Sequence, residues 1–240
     1  MLEIQVEYRS VGGRTWRDEP AGLRGVPVED RRPLSEPRAY RGRRSILTKW
    51  ISAGGQGVWC TSTAQLGAAM LLDFDPEIAC FQSRVVQMHW QLAGRRGTVV
   101  PAFVARTRQG QRLVFAHPPR SAVRTDSETE QRVLRQTAQQ ADWEVRALPR
   151  PEPVLRSSIE SAAHFSGAEF AAGVREREVL LETFTRPRPL QEGAAASELG
   201  LRALGYAWHL LWRGELTCDW SRPLLPTSLV WRRAAAGREA

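Results

Sequence analysis

The residues best suited to chemistry form two groups. The first is a set of hard oxygen and nitrogen donors, Asp73, Asp75 and Glu77 in the run Asp73-Phe74-Asp75-Pro76-Glu77, with His117 further along the chain. Carboxylates of this kind hold Mg²⁺ and activate water for phosphodiester hydrolysis. In a turn, the same aspartates also cap and accept hydrogen bonds from backbone. The second group is arginine. Arg31-Arg32-Pro33, Arg41-Gly42-Arg43-Arg44 and the scattered Arg202, Arg213, Arg222, Arg232 and Arg233 carry guanidinium groups that pair bidentately with phosphate. The formal net charge is +8 and the pI near 10.5, which favours a polyanionic partner. Lys49 is the only lysine, and the Arg and Ala excess also fits coding from GC-rich DNA, so charge alone has two explanations.

Other chemistries find little support. Cys60, Cys80 and Cys218 are widely spaced with no Cys-x-x-Cys pair, giving neither a disulfide framework nor a zinc site. His89, His117, His164 and His209 do not pair at ligand spacing. Gly54-Gly55-Gln56-Gly57 is not followed by Lys-Ser or Lys-Thr, so it reads as a tight loop rather than a phosphate cradle. No metal and no cofactor is expected. The N-terminus has no signal pattern and no apolar run approaches a membrane span, so a soluble, cytoplasmic, nucleoid-associated protein without membrane contact is expected.

The elements that must position these groups centre on Val58–Pro119. Residues 62–72 read as a small-residue helix with Thr61 or Ser62 as N-cap, Leu66, Met70 and Leu71 as its buried stripe, and Asp75-Pro76 as its stop. Strands follow at Ala79–Gln82, Val85–Leu92, Val99–Thr107 and Arg112–His117, with turns at residues 93–97 and 108–111. A polar helix from Asp126 to Asp142, capped by Asp126 or Ser127, leads to a strand at Trp143–Leu148 that should close one sheet edge. The class is therefore α+β.

Residues 1–45 read as an Arg/Pro/Gly-rich arm, although Leu2, Ile4, Val6 and Tyr8 alternate as a strand would. Residues 46–148 form the core, and 149–153, with three prolines, a stiff linker. In 154–233 the pattern is a helix at Ser157–His164, a longer one at Glu169–Phe184 with Phe170, Val174 and Leu181 on one face, and a short one at Leu190–Ser197. A last helix at Leu199–Trp212 carries Leu201, Leu204, Trp208 and Leu211 at core spacing. A hairpin at Leu216–Trp220 and Thr227–Trp231 completes the order of a winged helix, in which the last helix enters the major groove. The alternative is a protein-binding winged helix. Residues 234–240 are expected to be a disordered tail.

Several motifs resemble the TnsA-like endonuclease subunits of heteromeric transposases. Asp73-Phe74-Asp75-Pro76 is intact, as is Ser62, Trp143-Glu144-Val145 is similar to a Gly-Trp-x-Tyr-x-Val strand, and His209–Thr217 and Arg222-Pro223-Leu224 look like the family's C-terminal region. The resemblance runs from roughly residue 38 to 231. It implies a restriction-endonuclease-like core, a C-terminal winged-helix domain and an integrase-type transposase as partner. It also implies where catalysis should sit: a glutamate eight residues before the first aspartate, an aspartate after a strand-opening proline, then an acid or Gln with Lys two residues on. This chain has Gln65, Ala102, Phe115 and His117 at those positions. The resemblance therefore implies a pseudo-nuclease: a DNA-binding and assembly subunit contacting double-stranded DNA through Arg41, Arg43, Arg44, Arg202, Arg213, Arg222, Arg232 and Arg233. Two other functions stay open, an active nuclease with relocated ligands at Asp73, Asp75, Glu77 and His117, and a protein-interaction module without DNA contact. A domesticated role in telomere, plasmid or defence machinery fits the residues equally well.

Overall fold

The computed structural model describes residues 1–38, 46–117 and 124–234, with backbone alone at 124–126. Arg41, Arg43 and Arg44 and almost all of the expected tail lie outside the described residues. The chain divides into two compact units, Met1–Arg150 and Pro151–Ala240.

Unit 1 is mixed α and β. Its strands are β1 (Glu3–Arg9), β2 (Thr15–Asp18), β3 (Thr48–Ile51), β4 (Gly57–Cys60), β5 (Ile78–Gln82), β6 (Val86–Leu92), β7 (Arg95–Val99), β8 (Phe103–Thr107), β9 (Arg112–Ala116) and β10 (Glu144–Ala147). Its helices are α1 (Thr63–Phe74) and α2 (Arg124–Ala141). One sheet has the order β2-β1-β6-β7 and another β10-β9-β8-β5, with β3 and β4 a separate hairpin. β10 runs parallel to β9, a crossover made by α2.

The first segment is no arm. β1 pairs antiparallel with β6 from Glu3↔Gln91 to Tyr8↔Val86, and Leu2, Val6 and Tyr8 are buried beneath that sheet. The alternation of Leu2, Ile4, Val6 and Tyr8 was the stronger signal, because a strand with one apolar face must bury it. Two 3-10 turns, Pro20–Leu23 and Val28–Asp30, then bury Leu23 and Val28 completely.

The expected turn at 93–97 is shorter. Ala93 and Gly94 take φ of 48° and 78°, the two-residue left-handed turn that suits strand twist, and β7 begins at once. The expected strand 99–107 is in turn broken at Val100-Pro101, where the chain passes from one sheet to the other. Pro101 has no N–H for a ladder.

The sheet β10-β9-β8-β5 is covered on both faces. Phe103, Ala105, Leu113 and Phe115 cluster with Ala68, Ala69 and Leu72 of α1. Val104 and Val114 join Val133, Leu134, Ala138 and Ala141 of α2 in the other cluster. The buried stripe of α1 is thus Gln65, Ala68, Ala69 and Leu72, while Leu66, Met70 and Leu71 are half-buried. Small side chains let the helix approach the sheet closely, a choice that ranking by hydrophobicity overlooks.

Unit 2 contains α3 (Pro153–Ala163), α4 (Val174–Thr183), β11 (Arg188–Pro189), α5 (Leu190–Ala196), α6 (Ala203–Trp212), β12 (Leu216–Cys218) and β13 (Leu229–Arg232). The three strands form an antiparallel sheet ordered β11-β13-β12. The expected helix 169–184 is interrupted: Ala168–Phe170 is a 3-10 turn and α4 starts after Gly173, leaving Val174 exposed. Leu201 likewise sits on a 3-10 turn, fully exposed instead of in the core. Ser158, buried on α3, donates to Arg222 O (3.2 Å) and accepts from Leu224 N (3.1 Å), fastening the β12–β13 loop.

Candidate functional site

Gln65, Ala102, Phe115 and His117 converge. Ser62 Oγ accepts from Gln65 N (3.1 Å) and caps α1, so Gln65 lies in the first turn and faces the start of β8. Its side chain is 3% exposed. Oε1 accepts from Thr61 N (2.8 Å) and Thr61 Oγ1 (3.0 Å), and Nε2 donates to Ala102 O (3.0 Å). Ala102 N in turn donates to Phe115 O (2.8 Å), and Phe103 pairs with Phe115 in the β8–β9 ladder. Ala102 and Phe115 are sealed in the core with α1, while His117, just past β9, is exposed. Gln65, Ala116 and His117 line a cavity of about 320 Å³, together with Trp59, Thr61, Arg84, residues 98–101, Leu134 and others.

This arrangement is poor at holding a divalent cation. Both donors on the Gln65 oxygen belong to Thr61, and a methyl group and a phenyl ring occupy the two strand positions. Glu130, exposed on α2, is the one carboxylate among the described residues lining the cavity. Mg²⁺ asks for several hard oxygens in near-octahedral geometry.

The other acids are committed elsewhere. Asp73 accepts from Trp50 Nε1 (3.0 Å) and Ala53 N (3.0 Å), tying the β3–β4 hairpin to α1. Asp75 ends α1 and accepts from Glu77 N (2.9 Å). Eight helical residues separate Asp73 from Gln65, about 12 Å at 1.5 Å per residue. Asp73, Asp75 and Glu77 therefore gather at the far end of α1 from His117.

A third cluster was not legible from spacing. Glu29, Asp30 and Cys80 bring one ligand atom each within 4.8 Å of one another. Arginine already fills the place of a cation. Arg106 donates to Glu29 Oε1 (2.7 Å), to both Asp30 oxygens (3.1 and 3.0 Å) and to Cys80 Sγ (3.3 Å), and Arg112 reaches Glu29 Oε2 (3.4 Å). Burial, opposed by Arg106 and assisted by Asp30, pushes the Cys80 thiol up to about 11. Cys60 and Cys218 reach about 12, again chiefly through burial. With their thiols held protonated by burial, none of the three is an activated nucleophile.

The arginines of unit 2 divide. Arg233 N donates to Glu215 O (2.9 Å), and the Arg233 guanidinium lies over Gly214, next to Arg213. Arg232 adjoins, its N donating to Phe184 O (2.7 Å). Arg213, Arg232 and Arg233 thus share one corner. Arg202 stands at the opposite end of α6, and Arg222 lies in the β12–β13 loop beside Asp219 (3.3 Å). The helix expected in a groove is enclosed: none of the ten residues of α6 is exposed. Its sequence has no polar face, and α3, α4, α5, β12 and the Ala168–Phe170 turn surround it. Phe165 stacks on Trp208 with ring centroids 5.3 Å apart, and His209 Nδ1 donates to Phe165 O (2.7 Å).

Charge separates the units further. Unit 1 has 23 Lys and Arg against 15 Asp and Glu, the whole of the +8, and unit 2 has 11 of each. Within unit 1, Lys49 stands directly opposite Trp59 in the β3–β4 pair, with Nζ 4.5 Å from the ring centroid. A Cβ on Gly57 would meet Lys49 Cδ at 2.5 Å, so glycine there makes room for the lysine stem. The pairing was within reach of the sequence: counting outward from Gly54 brings residues 49 and 59 together. No helix among the described residues is long and apolar enough to cross a membrane. No protein-family model matches the chain, and no curated protein matches it either.

Proposed function

We propose that the chain is a TnsA-like pseudo-nuclease, a DNA-binding and assembly subunit of a transposase-like or related nucleoprotein complex. The observation that carries this reading is the meeting of Gln65, Ala102, Phe115 and His117 at one place, where α1 abuts β8 and β9. Those are the four positions that the resemblance assigns to catalysis, and their convergence is what a restriction-endonuclease-like core requires. The sequence α1, β5, β8, β9, then α2 and a parallel β10, supports the same core. With Gln65 bonded to Thr61 and Ala102, the site serves as a structural joint.

DNA binding rests on the charge of unit 1. Unit 2, neutral and with α6 enclosed, fits the role of partner docking better than base reading. Its order of α4, β11, α5, α6 and the β12–β13 pair supports a winged-helix arrangement, and an integrase-type transposase is the partner the resemblance suggests. An active nuclease with relocated ligands is disfavoured, because Asp73 and Asp75 are bonded to backbone and to Trp50.

The test has two arms. Supercoiled plasmid with Mg²⁺ or Mn²⁺ should stay uncut, and nicking that disappears in Asp73→Ala would overturn the loss of catalysis. Duplex affinity should fall linearly in log salt as counterions are released. Affinity that does not change with salt would remove DNA from the reading.

A further inference from the structure

Trp59 forms a wall common to two cavities of unit 1. On one side is the 320 Å³ cavity, with Val99, Pro101 and Leu134 as apolar lining and Thr61, Gln65 and His117 as polar groups. On the other is a groove of about 490 Å³ lined by Arg9, Arg31, Arg32, Lys49 and Trp59 among others. Arg84 links the two, since it lines the first and donates to Ser35 O (2.9 Å) and Oγ (2.8 Å) on the wall of the second.

The groove is basic by construction. Arg9 is fixed by Pro33 O (3.1 Å), Gly13 O (2.9 Å) and Leu34 O (3.3 Å), all neutral acceptors that leave its charge uncancelled. Arg31 Nε is shielded from water and has no hydrogen-bond partner among the described residues. Of the acids among the described residues that line the two cavities, Asp30 is paired with Arg106, leaving Glu36 and Glu130, both exposed. Cations along a groove, an aromatic wall and an adjoining cavity in the volume range of small-molecule sites are what an unstacked base on a phosphate chain requires. A duplex keeps its bases stacked and offers none of them to such a wall.

We propose that the groove and cavity flanking Trp59 bind single-stranded DNA, with phosphates along Arg31, Arg32 and Lys49 and a base against Trp59. This rests on the DNA-binding reading above and gives it a surface and a strand state.

Fluorescence anisotropy on the full chain tests it with a labelled oligothymidine 20-mer, a blunt hairpin duplex and an oligouridine of equal length. The parent should bind oligothymidine at least tenfold more tightly than the blunt duplex. Trp59→Leu should weaken that binding about 5- to 150-fold, the range for one lost base stack, while Trp59→Phe retains most of it. Arg31→Gln with Arg32→Gln should flatten the salt dependence, by about 0.7 for each phosphate that is no longer neutralised. These arginine variants decide the matter should Trp59→Leu not melt cooperatively. Equal affinity of Trp59→Leu and parent for oligothymidine, or an unchanged salt slope in the arginine variant, overturns the proposal. Tighter binding of blunt duplex overturns it while the DNA-binding function stands, and tighter binding of oligouridine reassigns the site to RNA. Binding of none of the three removes both.

Discussion

Replacing Gln65 by glutamate supplies the residue type that the TnsA-like resemblance assigns to this position, and the structure makes the outcome unfavourable. The glutamine is 3% exposed, and its Nε2 donates to Ala102 O at 3.0 Å. An ionised glutamate sets an oxygen against that carbonyl oxygen. Leaving a buried carbonyl unsatisfied costs about 1–3 kcal/mol, and the buried carboxylate adds to that. Thr61 N and Oγ1 still donate to the other oxygen, which softens the effect, so about 2–4 kcal/mol is expected at pH 7.5. A protonated glutamate can donate to Ala102 O, so its folded-state pKa lies above the unfolded value near 4.3. The sign follows: the variant approaches the parent at or below about pH 4.3, and its deficit grows with pH until the folded pKa is passed. In thermal melts at pH 7.5 the loss corresponds to about 5–15 °C, narrowing at pH 4.5. Mg²⁺ should not restore Gln65→Glu, because a single carboxylate does not make a magnesium site. A Gln65→Glu protein as stable as the parent across this pH range would refute the account of Gln65 as a buried joint.

Other outcomes follow from packing and charge. Gly193→Ala would bring a methyl within 2.3 Å of Phe184 Cζ, and overpacking of that kind costs about 1–3 kcal/mol, measurable in denaturant titrations. With thiols at about 12, 11 and 12, Cys60, Cys80 and Cys218 should resist iodoacetamide at pH 8 and react only after denaturation, read as mass shifts. Glu7 is partly buried, which opposes ionisation, yet hydrogen bonds from Arg17 (2.8 Å) and His89 (3.3 Å) hold its carboxyl below the usual range. Its contribution is therefore present above pH 4.5 and lost as pH falls through the lowered value, so Glu7→Gln should destabilise at pH 6 and be nearly neutral at pH 2–3.

Legibility varied with the range of the interactions concerned. Ser62 as a cap, Asp75-Pro76 as a stop and the Asp75 bond to Glu77 N are local events, set within a few residues, and were readable from the chain, whereas the Asp73 bonds reach back 20 and 23 positions to Ala53 and Trp50. The convergence of Gln65, Ala102, Phe115 and His117 was implied only by the family resemblance, since the contact joins residues 37 positions apart in sequence. β1 was partly visible as alternation, but its partner β6 lies some 80 residues away, and composition in between suggested an arm. The Arg106–Glu29–Asp30 network was invisible, because nothing in the spacing of residues 29, 30, 80, 106 and 112 links them before the sheet forms. The enclosure of α6 was hidden for another reason: its apolar character was plain, but a recognition helix with one core face and a fully enclosed helix differ only in what else packs on them.

The pairing of Lys49 with Trp59 across Gly57 has a practical consequence. Lys49 carries the only ε-amine of the 240 residues. An amine-selective reagent used at alkaline pH would therefore deliver a crosslinker, fluorophore or acyl group to one side chain, 4.5 Å from an indole on the wall of the basic groove, besides the α-amino group of Met1, which is the more reactive near neutral pH. With the α-amino group of Met1 blocked, Lys49 is a site-specific attachment point. A photoactivatable group tethered there would report, without any mutation, whatever passes over that wall.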